Sequence, residues 1–363
     1  MSIRCRGRHW FSPIVAGLAI AVMASSAAGQ TKSAPASALL GELATSTASD
    51  RLLRLIEGAK KEAELSIYTS AQADDLGAVT SAFEKKYGVK VQMWRASSEK
   101  VLQRVVTEAR AGRATVDVIE TNGPEMEALH REKLLQAVQS LYSADLIPQA
   151  IRPHGEWVAT RLNVFVQAYN TKLIAKDDLP KQWEDLAQPR WKGKIGIEAE
   201  DSDWLSAVMG QLGESKGVPI FKSIVAANGI QIRRGHTLLA QLVAAGEVPL
   251  ALTVYNYKAE QMKLKGATID WFAIGPAIAR PNGVGVVRRS PHPHAAVLFY
   301  EFIISPEGQA IIAGRDFVPT SRKIDSPFRR GPMSFIDPSA MLDQSSKWTK
   351  LYAELFSKSA GAR

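Results

Sequence analysis

Two tyrosines separated by one residue, Tyr255 and Tyr257, end the apolar run in residues 248–262, VPLALTVYNYKAEQM. A free phenol has a pKa of about 10, but a bound trivalent cation favours its ionised form. Fe3+ is a hard cation that prefers anionic oxygen ligands. Two phenolates and one carboxylate, for which Asp201 is the candidate, offset three positive charges. The three residues therefore form a candidate ferric-ion site, and plain interface aromatics are the alternative interpretation of the tyrosines.

A second interpretation of the same region starts from residues that precede helices. Arg95 opens a loop before a helix and is suited to a bidentate contact with a carboxylate or phosphonate. Asn122 and the pair His236–Thr237 also precede helices, where free N–H groups and the helix dipole attract anions. These positions predict a site for an organic anion.

A zwitterionic organic solute would use both kinds of charge. Arg95 would hold its acidic end, and Asp201 and Asp203 would hold its basic end. Trp204 and Tyr257 would present aromatic faces between the two ends, where cation–π attraction contributes about 0.5–2 kcal/mol. The residues alone leave ferric ion and a small polar organic solute as open alternatives.

These candidates follow strands in a repeated strand–loop–helix pattern. Successive units of this kind predict a parallel sheet with helices on its faces. The predicted strands form two sets, at residues 64–68, 89–94 and 116–120, and at residues 194–198, 229–234 and 248–254.

Extended segments connect the two sets. Residues 157–174 can carry the chain from one lobe to the other, and residues 268–274 and 282–288 can return it. Two α/β lobes joined in this way enclose a cleft, and ligands of open α/β sheets bind outside the carboxyl ends of the strands. Tyr255 and Tyr257 stand at such an end and, with a strand period of two, are expected to share a face.

Composition excludes several classes of protein. The chain has 363 residues, enough for two lobes, with 46% hydrophobic and 22% charged residues, as in globular proteins. Three of the nine net positive charges belong to Arg4, Arg6 and Arg8, and no run of five basic residues occurs. No nucleic-acid partner is therefore expected.

The N-terminus has the three-part layout of a secretory signal peptide. Positive charge in MSIRCRGRHW precedes the apolar FSPIVAGLAIAVMA and the small residues SSAAGQ, with cleavage expected near Ala28. The only cysteine, Cys5, lies in this leader. The mature protein is expected in the periplasm without disulfides, thiolate catalysis or sulfur-bound metal.

One motif bears on whether the protein is an enzyme. Residues 213–217, GESKG, match the literal G-x-S-x-G pattern, but a nucleophile elbow needs a buried strand before the serine. The preceding stretch is helical in pattern, so we expect a turn at a helix end and no enzyme. A periplasmic enzyme and a ligand-loaded sensor remain as further alternatives.

Several segments between residues 64 and 323 resemble the periplasmic solute-binding proteins of ABC importers, extracellular solute-binding protein family 1, and its ferric-iron-binding type. They include VQMWRASSEKVLQRVVTEARAG with VDVIETN, WEDLAQPRWKGKI, LLAQLVAAGEVPLALTVYNY and AAVLFYEFIISPEGQAII. The resemblance implies an α/β, two-lobed periplasmic-binding-protein fold (type II) with parallel and mixed sheets and a hinge. It also implies a monomer that carries Fe3+ as cargo rather than as a cofactor and delivers it to an ABC permease.

The resemblance carries site residues over to the strand-end loops. This sequence departs from the ferric type in that Asn256 separates the tyrosines, Asn122 stands where a carboxylate ligand is expected, and acids crowd the loop at 200–203. The implied ligand-binding residues are Thr69, Ser70, Arg95, Ser97, Asn122, Asp201, Asp203, Trp204, His236, Thr237, Tyr255 and Tyr257, with Tyr255, Tyr257 and Asp201 as metal ligands.

The expected domain organisation follows from these patterns. It comprises a signal peptide at 1–29, a linker and first helix at 30–63, lobe 1 at 64–160 plus 270–318, and lobe 2 at 161–269 plus 319–360.

Overall fold

A computed structural model describes residues 33–329 and 331–356. The predicted signal peptide at 1–29 lies outside the described residues, as do residues 30–32 and 357–360 of the predicted linker and second lobe. The α-helices are α1 Ser33–Thr45, α2 Arg51–Glu62, α3 Ala73–Tyr87, α4 Ser98–Arg110, α5 Gly123–Arg131, α6 Ser202–Leu212, α7 Glu214–Asn228, α8 His236–Ala245, α9 Asn256–Leu264, α10 Pro293–Ile304, α11 Pro306–Ala313, α12 Pro338–Asp343 and α13 Ser345–Phe356.

The strands alternate with these helices as the sequence pattern predicts. They are β1 Glu64–Thr69, β2 Lys90–Arg95, β3 Val118–Asn122, β4 Leu135–Gln136, β5 Val158–Asn170, β6 Ile195–Glu198, β7 Gln231–Arg233, β8 Leu250–Tyr255, β9 Ile269–Phe272, β10 Ala277–Val287, β11 Val318–Pro319 and β12 Met333–Phe335.

The main sheet has the strand order β2-β1-β3-β10-β5-β8-β6-β7. Strands β2, β1 and β3 are parallel to one another at one end, and β8, β6 and β7 are parallel at the other. The long strands β10 and β5 pair antiparallel in the middle and join these two parallel blocks. The extended segments predicted to connect the two lobes therefore lie side by side. The lobe boundaries given above remain a prediction.

Local signals explain why the first parallel block forms. In α3, Leu76, Val79 and Phe83 are buried along one face, as their helical spacing predicts. Gly88 ends this helix at a φ of 74°, a conformation that glycine adopts without strain. Pro124 lies in the first turn of α5, where its missing N–H leaves no intrahelical bond unmade.

The sequence pattern predicts a linker and a first helix over residues 30–63, but an additional helix, α1, forms over residues 33–45. Leu40 and Leu43 of this helix are fully buried, and the helix packs against α10. The Arg51 guanidinium donates to the Leu43 carbonyl at 2.7 Å and pairs with Glu301 of α10 at 2.7 Å. Tertiary packing therefore supports a helix in a segment of small and polar composition.

The C-terminal helices contact both parallel blocks. Helix α12 packs against α5, and α13 packs against α6 and α7. Within the described residues, no single helix is long and apolar enough to cross a bilayer; α10 and α11 pass by length and composition only as a pair bent by 60°.

Candidate functional site

A cleft of about 730 Å³ lies between the two parallel blocks. One wall comes from the loops after β1, β2 and β3, and the other from the loops after β6, β7 and β8. Residues of β5 and β10 form its floor. All six loops follow the carboxyl ends of parallel strands, where ligands of open α/β sheets bind.

The structure brings nine of the twelve predicted ligand-binding residues together in this cleft. They are Ser70, Arg95, Ser97, Asn122, Asp201, His236, Thr237, Tyr255 and Tyr257.

The other three predicted residues lie outside the cleft lining. The expectation of direct ligand contact is corrected for Thr69 and Trp204, which are buried, whereas Asp203 lines an adjoining cavity and its contact with a ligand stays a prediction. Thr69 is fully buried and its hydroxyl donates to Glu120. Asp203 accepts a hydrogen bond from Arg280 at 2.7 Å, so its charge is already paired. Trp204 is 1% exposed and packs edge-on against Phe221, with 5.7 Å between the ring centroids. It is a core residue.

The two tyrosines reach the cleft by a different geometry from the predicted one. Strand β8 ends at Tyr255 and helix α9 begins at Asn256, so Tyr257 lies in a helical turn rather than on the strand. The phenol rings are nearly parallel, with an interplanar angle of 16° and centroids 5.8 Å apart. Tyr257 packs on Phe317, with 4.0 Å between the ring centroids. The strand period predicted that the two tyrosines share a face; in the structure, the transition from strand β8 to helix α9 brings both rings to the cleft.

The surroundings of Tyr257 keep its phenol neutral. Burial raises the pKa of Tyr257 far above its usual value, and the positive charges of Arg161 and Arg95 oppose this only in part. A strong positive charge bound beside the oxygen would be needed to ionise this phenol.

Glu198, Asp201 and His236 form an acidic cluster next to Tyr255. Their candidate ligand atoms all lie within 4.8 Å of one another. His236 Nε2 lies 3.2 Å from Asp201 Oδ1, and the imidazole packs against the Tyr255 ring at a tilt of 34° with 3.8 Å between centroids. Sequence reasoning included Asp201 and His236 but missed Glu198, the last residue of β6. We name these three residues the acidic cluster.

Electrostatics make the acidic cluster receptive to a cation. Burial and the neighbouring Asp201 charge raise the pKa of Glu198. Burial disfavours a charged His236, but Asp201 and Glu198 outweigh that effect and raise the pKa of the imidazole. Negative charge concentrated at this wall contributes to both pKa shifts, although burial is the larger cause at Glu198. A bound cation would take over the role of the proton on His236.

The floor carries a pattern that sequence reasoning missed. Arg161 and Asn163 of β5 are paired in register with Asn282 and Arg280 of β10, respectively. Arg161 forms an ion pair with Glu120, and Arg280 forms one with Asp203. The signal was present as RLN and RPN, in which an arginine and an asparagine at a spacing of two recur in two long strand-like segments. The four floor residues, Arg161, Asn163, Arg280 and Asn282, are named the arginine–asparagine floor.

Several polar atoms of the floor are buried without a hydrogen-bond partner. They include Nε of Arg161 and Arg280 and Oδ1 of Asn163 and Asn282. Unpartnered buried polar groups are costly, at about 1–3 kcal/mol each, and call for a ligand or ordered water. The floor therefore offers donors and acceptors to a polar solute. Asn122 links it to one wall, since its carboxamide oxygen accepts from Asn282 at 3.2 Å.

Residues 78–327 match the sequence profile of the bacterial extracellular solute-binding proteins. The "Iron uptake protein A1" of Synechocystis sp. is 23% identical over 71% of this chain and 75% of its own length. The "Fe(3+)-binding periplasmic protein" of Serratia marcescens is 26% identical over 75% of this chain and 83% of its own length.

Solved structures share the architecture at low sequence identity. Iron-bound HitA from Pseudomonas aeruginosa aligns with a TM-score of 0.70 and 23% identity, covering 80% of this chain and 99% of that chain. The periplasmic binding protein AfuA from Actinobacillus pleuropneumoniae, with fructose-6-phosphate bound, aligns with a TM-score of 0.71 and 20% identity, covering 81% and 98%. The shared fold thus accommodates an iron-binding protein and a sugar-phosphate-binding protein.

Proposed function

Since the chain belongs to the bacterial extracellular solute-binding proteins, we propose that its cleft captures ferric ion in the periplasm for delivery to an ABC permease. The predicted membership and the predicted two-lobed periplasmic-binding-protein fold are confirmed. This family binds solutes and is not a family of enzymes. The named relatives include iron-uptake and Fe(3+)-binding proteins, which supports iron as the solute.

The observation that carries the proposal is the acidic cluster beside Tyr255. Glu198 and Asp201 supply hard oxygen donors, which suit Fe3+. The phenols of Tyr255 and Tyr257 stand on the same wall and become strong oxygen ligands once a trivalent ion favours their ionised form. The ligand set proposed from the sequence, Tyr255, Tyr257 and Asp201, is thereby extended by Glu198 and His236.

Proton release links iron capture to pH. Raised pKa values at His236 and Glu198 mean that protons compete with the cation at this wall. Ferric ion binding would displace the proton of His236 and those of the two phenols. We therefore propose that affinity falls as the pH is lowered through the titration of His236.

The test is ferric loading followed by desalting, metal analysis and visible absorption spectroscopy. We expect bound iron with a phenolate-to-iron absorption band that weakens in Tyr255→Phe and Tyr257→Phe and disappears in the double variant. Tyr169→Phe is the matched control, because Tyr169 is a buried tyrosine on β5 outside the cleft lining. A protein that stays colourless and iron-free after loading contradicts the proposal.

A second candidate, a small organic anion or zwitterion, is favoured by the arginine–asparagine floor. Arg161 and Arg280 each retain a buried, unpartnered Nε beside the cleft. A carboxylate or phosphonate would accept from these groups in charge-assisted bonds.

A thermal-shift screen of carboxylates and phosphonates tests the second candidate. Mass action stabilises a protein by about 2.7 kcal/mol at a ligand concentration of 100 Kd. Arg95→Gln, at the cleft wall, is expected to reduce the shift, whereas Arg110→Gln, at an exposed position, is the matched control. The absence of any shift across the screen contradicts this candidate without affecting the ferric proposal.

A further inference from the structure

A second cavity of about 400 Å³ adjoins the cleft. The first turns of α4 and α5 form one side, the loop before α6 forms another, and the C-terminal helices α12 and α13 close it. Glu99, Glu200 and Arg280 line both this cavity and the cleft, so the two spaces meet at these residues. We name this cavity the side pocket.

The side pocket has an apolar interior. Leu102 of α4, Met341 and Leu342 of α12, and Ala353 of α13 contribute apolar side chains from opposite sides. Its volume lies within the range of about 300–1,000 Å³ that is typical of small-molecule sites. Helices α12 and α13 follow residue 327, where the match to the family profile ends.

Two acidic residues of the side pocket, Glu125 and Asp203, carry little free charge, whereas Glu99 and Glu200 stand where the pocket meets the cleft. Burial, reinforced by the Glu99 charge, raises the pKa of Glu125 to about 8, so its carboxyl group is protonated at neutral pH. Its Oε2 is buried without a hydrogen-bond partner. Asp203 is paired with Arg280 at 2.7 Å. The pocket is thus suited to an uncharged, predominantly apolar group.

Arg280 stands where the side pocket meets the arginine–asparagine floor. This arginine is 9% exposed, and its guanidinium lies over the Phe165 and Tyr255 rings at 5.0 and 5.4 Å from their centroids. Its Nε has no partner, although Nη1 is used by Asp203. Because Arg280 lines both spaces, an anionic group bound at its guanidinium would adjoin the cleft and the side pocket.

We propose that the cleft and the side pocket form one binding site for an organic anion whose charged head contacts Arg280 and whose apolar chain enters the side pocket. This inference rests on the second candidate function, the organic anion over the arginine–asparagine floor. It adds a specificity element, because a chain of several carbons distinguishes the solute from small polar anions.

A homologous series of straight-chain carboxylates, from propionate to octanoate, tests the inference by isothermal titration calorimetry. Burial of each methylene group is expected to tighten binding about fourfold until the pocket is filled. Ala353→Trp and Leu102→Trp, which reduce the pocket from opposite sides, are expected to abolish this dependence on length, so that octanoate binds no more tightly than propionate. Ala226→Trp, at another exposed alanine of a helix, is the matched control.

A pH series provides a second readout. Above about pH 8, Glu125 ionises and the octanoate advantage over propionate is expected to shrink, whereas Glu125→Gln is expected to keep the advantage at every pH. Equal affinity for all chain lengths overturns the inference while leaving the second candidate intact. Failure of every carboxylate to bind also overturns the inference, and the phosphonates of the thermal-shift screen and ferric loading of the same samples then test the second candidate and the ferric proposal independently.

Discussion

Neutralising Glu120 by the substitution Glu120→Gln is expected to destabilise the protein strongly. The Glu120 side chain is fully buried, and the Arg161 guanidinium with which it forms an ion pair is 6% exposed. The substitution leaves that guanidinium buried without its counter-charge. Removing one partner of a buried ion pair costs about 3–5 kcal/mol, and the loss of charge at the bond donated by the Thr69 hydroxyl adds to this.

The control is an ion pair on the surface. Lys347 and Glu214 are each 48% exposed and form a salt bridge between α13 and the start of α7. Because exposed pairs contribute about 0–1 kcal/mol, Glu214→Gln is expected to change the free energy of unfolding by less than 1 kcal/mol.

Urea denaturation, followed by tryptophan fluorescence, measures both variants. The midpoint is expected to fall clearly in Glu120→Gln and to stay near that of the wild type in Glu214→Gln. Equal midpoints for the two variants would refute the reasoning, since they would show that Arg161 is solvated or compensated without Glu120. A folded Glu120→Gln protein should also bind carboxylates more tightly, because its floor guanidinium has lost a competing anion.

Three further predictions concern stability. Gly283→Ala places a Cβ 2.5 Å from Cε3 of Trp157, so calorimetry should show a loss of about 1–3 kcal/mol from overpacking, and an unchanged melting temperature would contradict this. Because Trp204 lies in the core, Trp204→Ala is expected to lower the free energy of unfolding in urea by about 3–5 kcal/mol while ferric loading persists. Loss of iron binding without loss of stability would instead place Trp204 in the site. His236→Gln should lose more stability at about pH 5.5 than at about pH 9, because folding raises the pKa of His236. The stabilising imidazolium charge is fully present below the unfolded pKa of about 6.5 and is lost as the pH rises through the folded pKa. A pH-independent difference would contradict the pairing with Asp201.

The strand–loop–helix units were predictable because each contains its own local signals. In the segment from β1 to α3, strand residues precede a short loop, and helical spacing and Gly88 then define the helix. The cleft walls follow from this pattern, since parallel strands place their carboxyl ends together. Tyr255 and Asp201 could therefore be placed at the cleft from sequence alone.

The floor could not be predicted in the same way, because it depends on long-range pairing. Nothing local to RLN at 161–163 indicates that it lies opposite RPN at 280–282. Register between distant strands is decided by the whole sheet, so Arg161 and Arg280 were overlooked.

Trp204 and α1 were misjudged for a related reason. A residue after a strand-end loop can point into the cleft or into the core, and in α6 the buried residues Leu205, Val208 and Met209 share the core with Trp204. Helix α1 has little local signal, and its burial against α10 decides its structure.

The two long strands that join the halves of the sheet also carry the floor, and this has a kinetic consequence. Side chains near a hinge axis move little when the two parallel blocks rotate about that axis. If the two parallel blocks close about β5 and β10, the guanidinium groups on these strands would engage a captured molecule equally in the open and the closed arrangement. Encounter rates would then depend on these pivot contacts, whereas residence times would depend on the side chains of the moving walls.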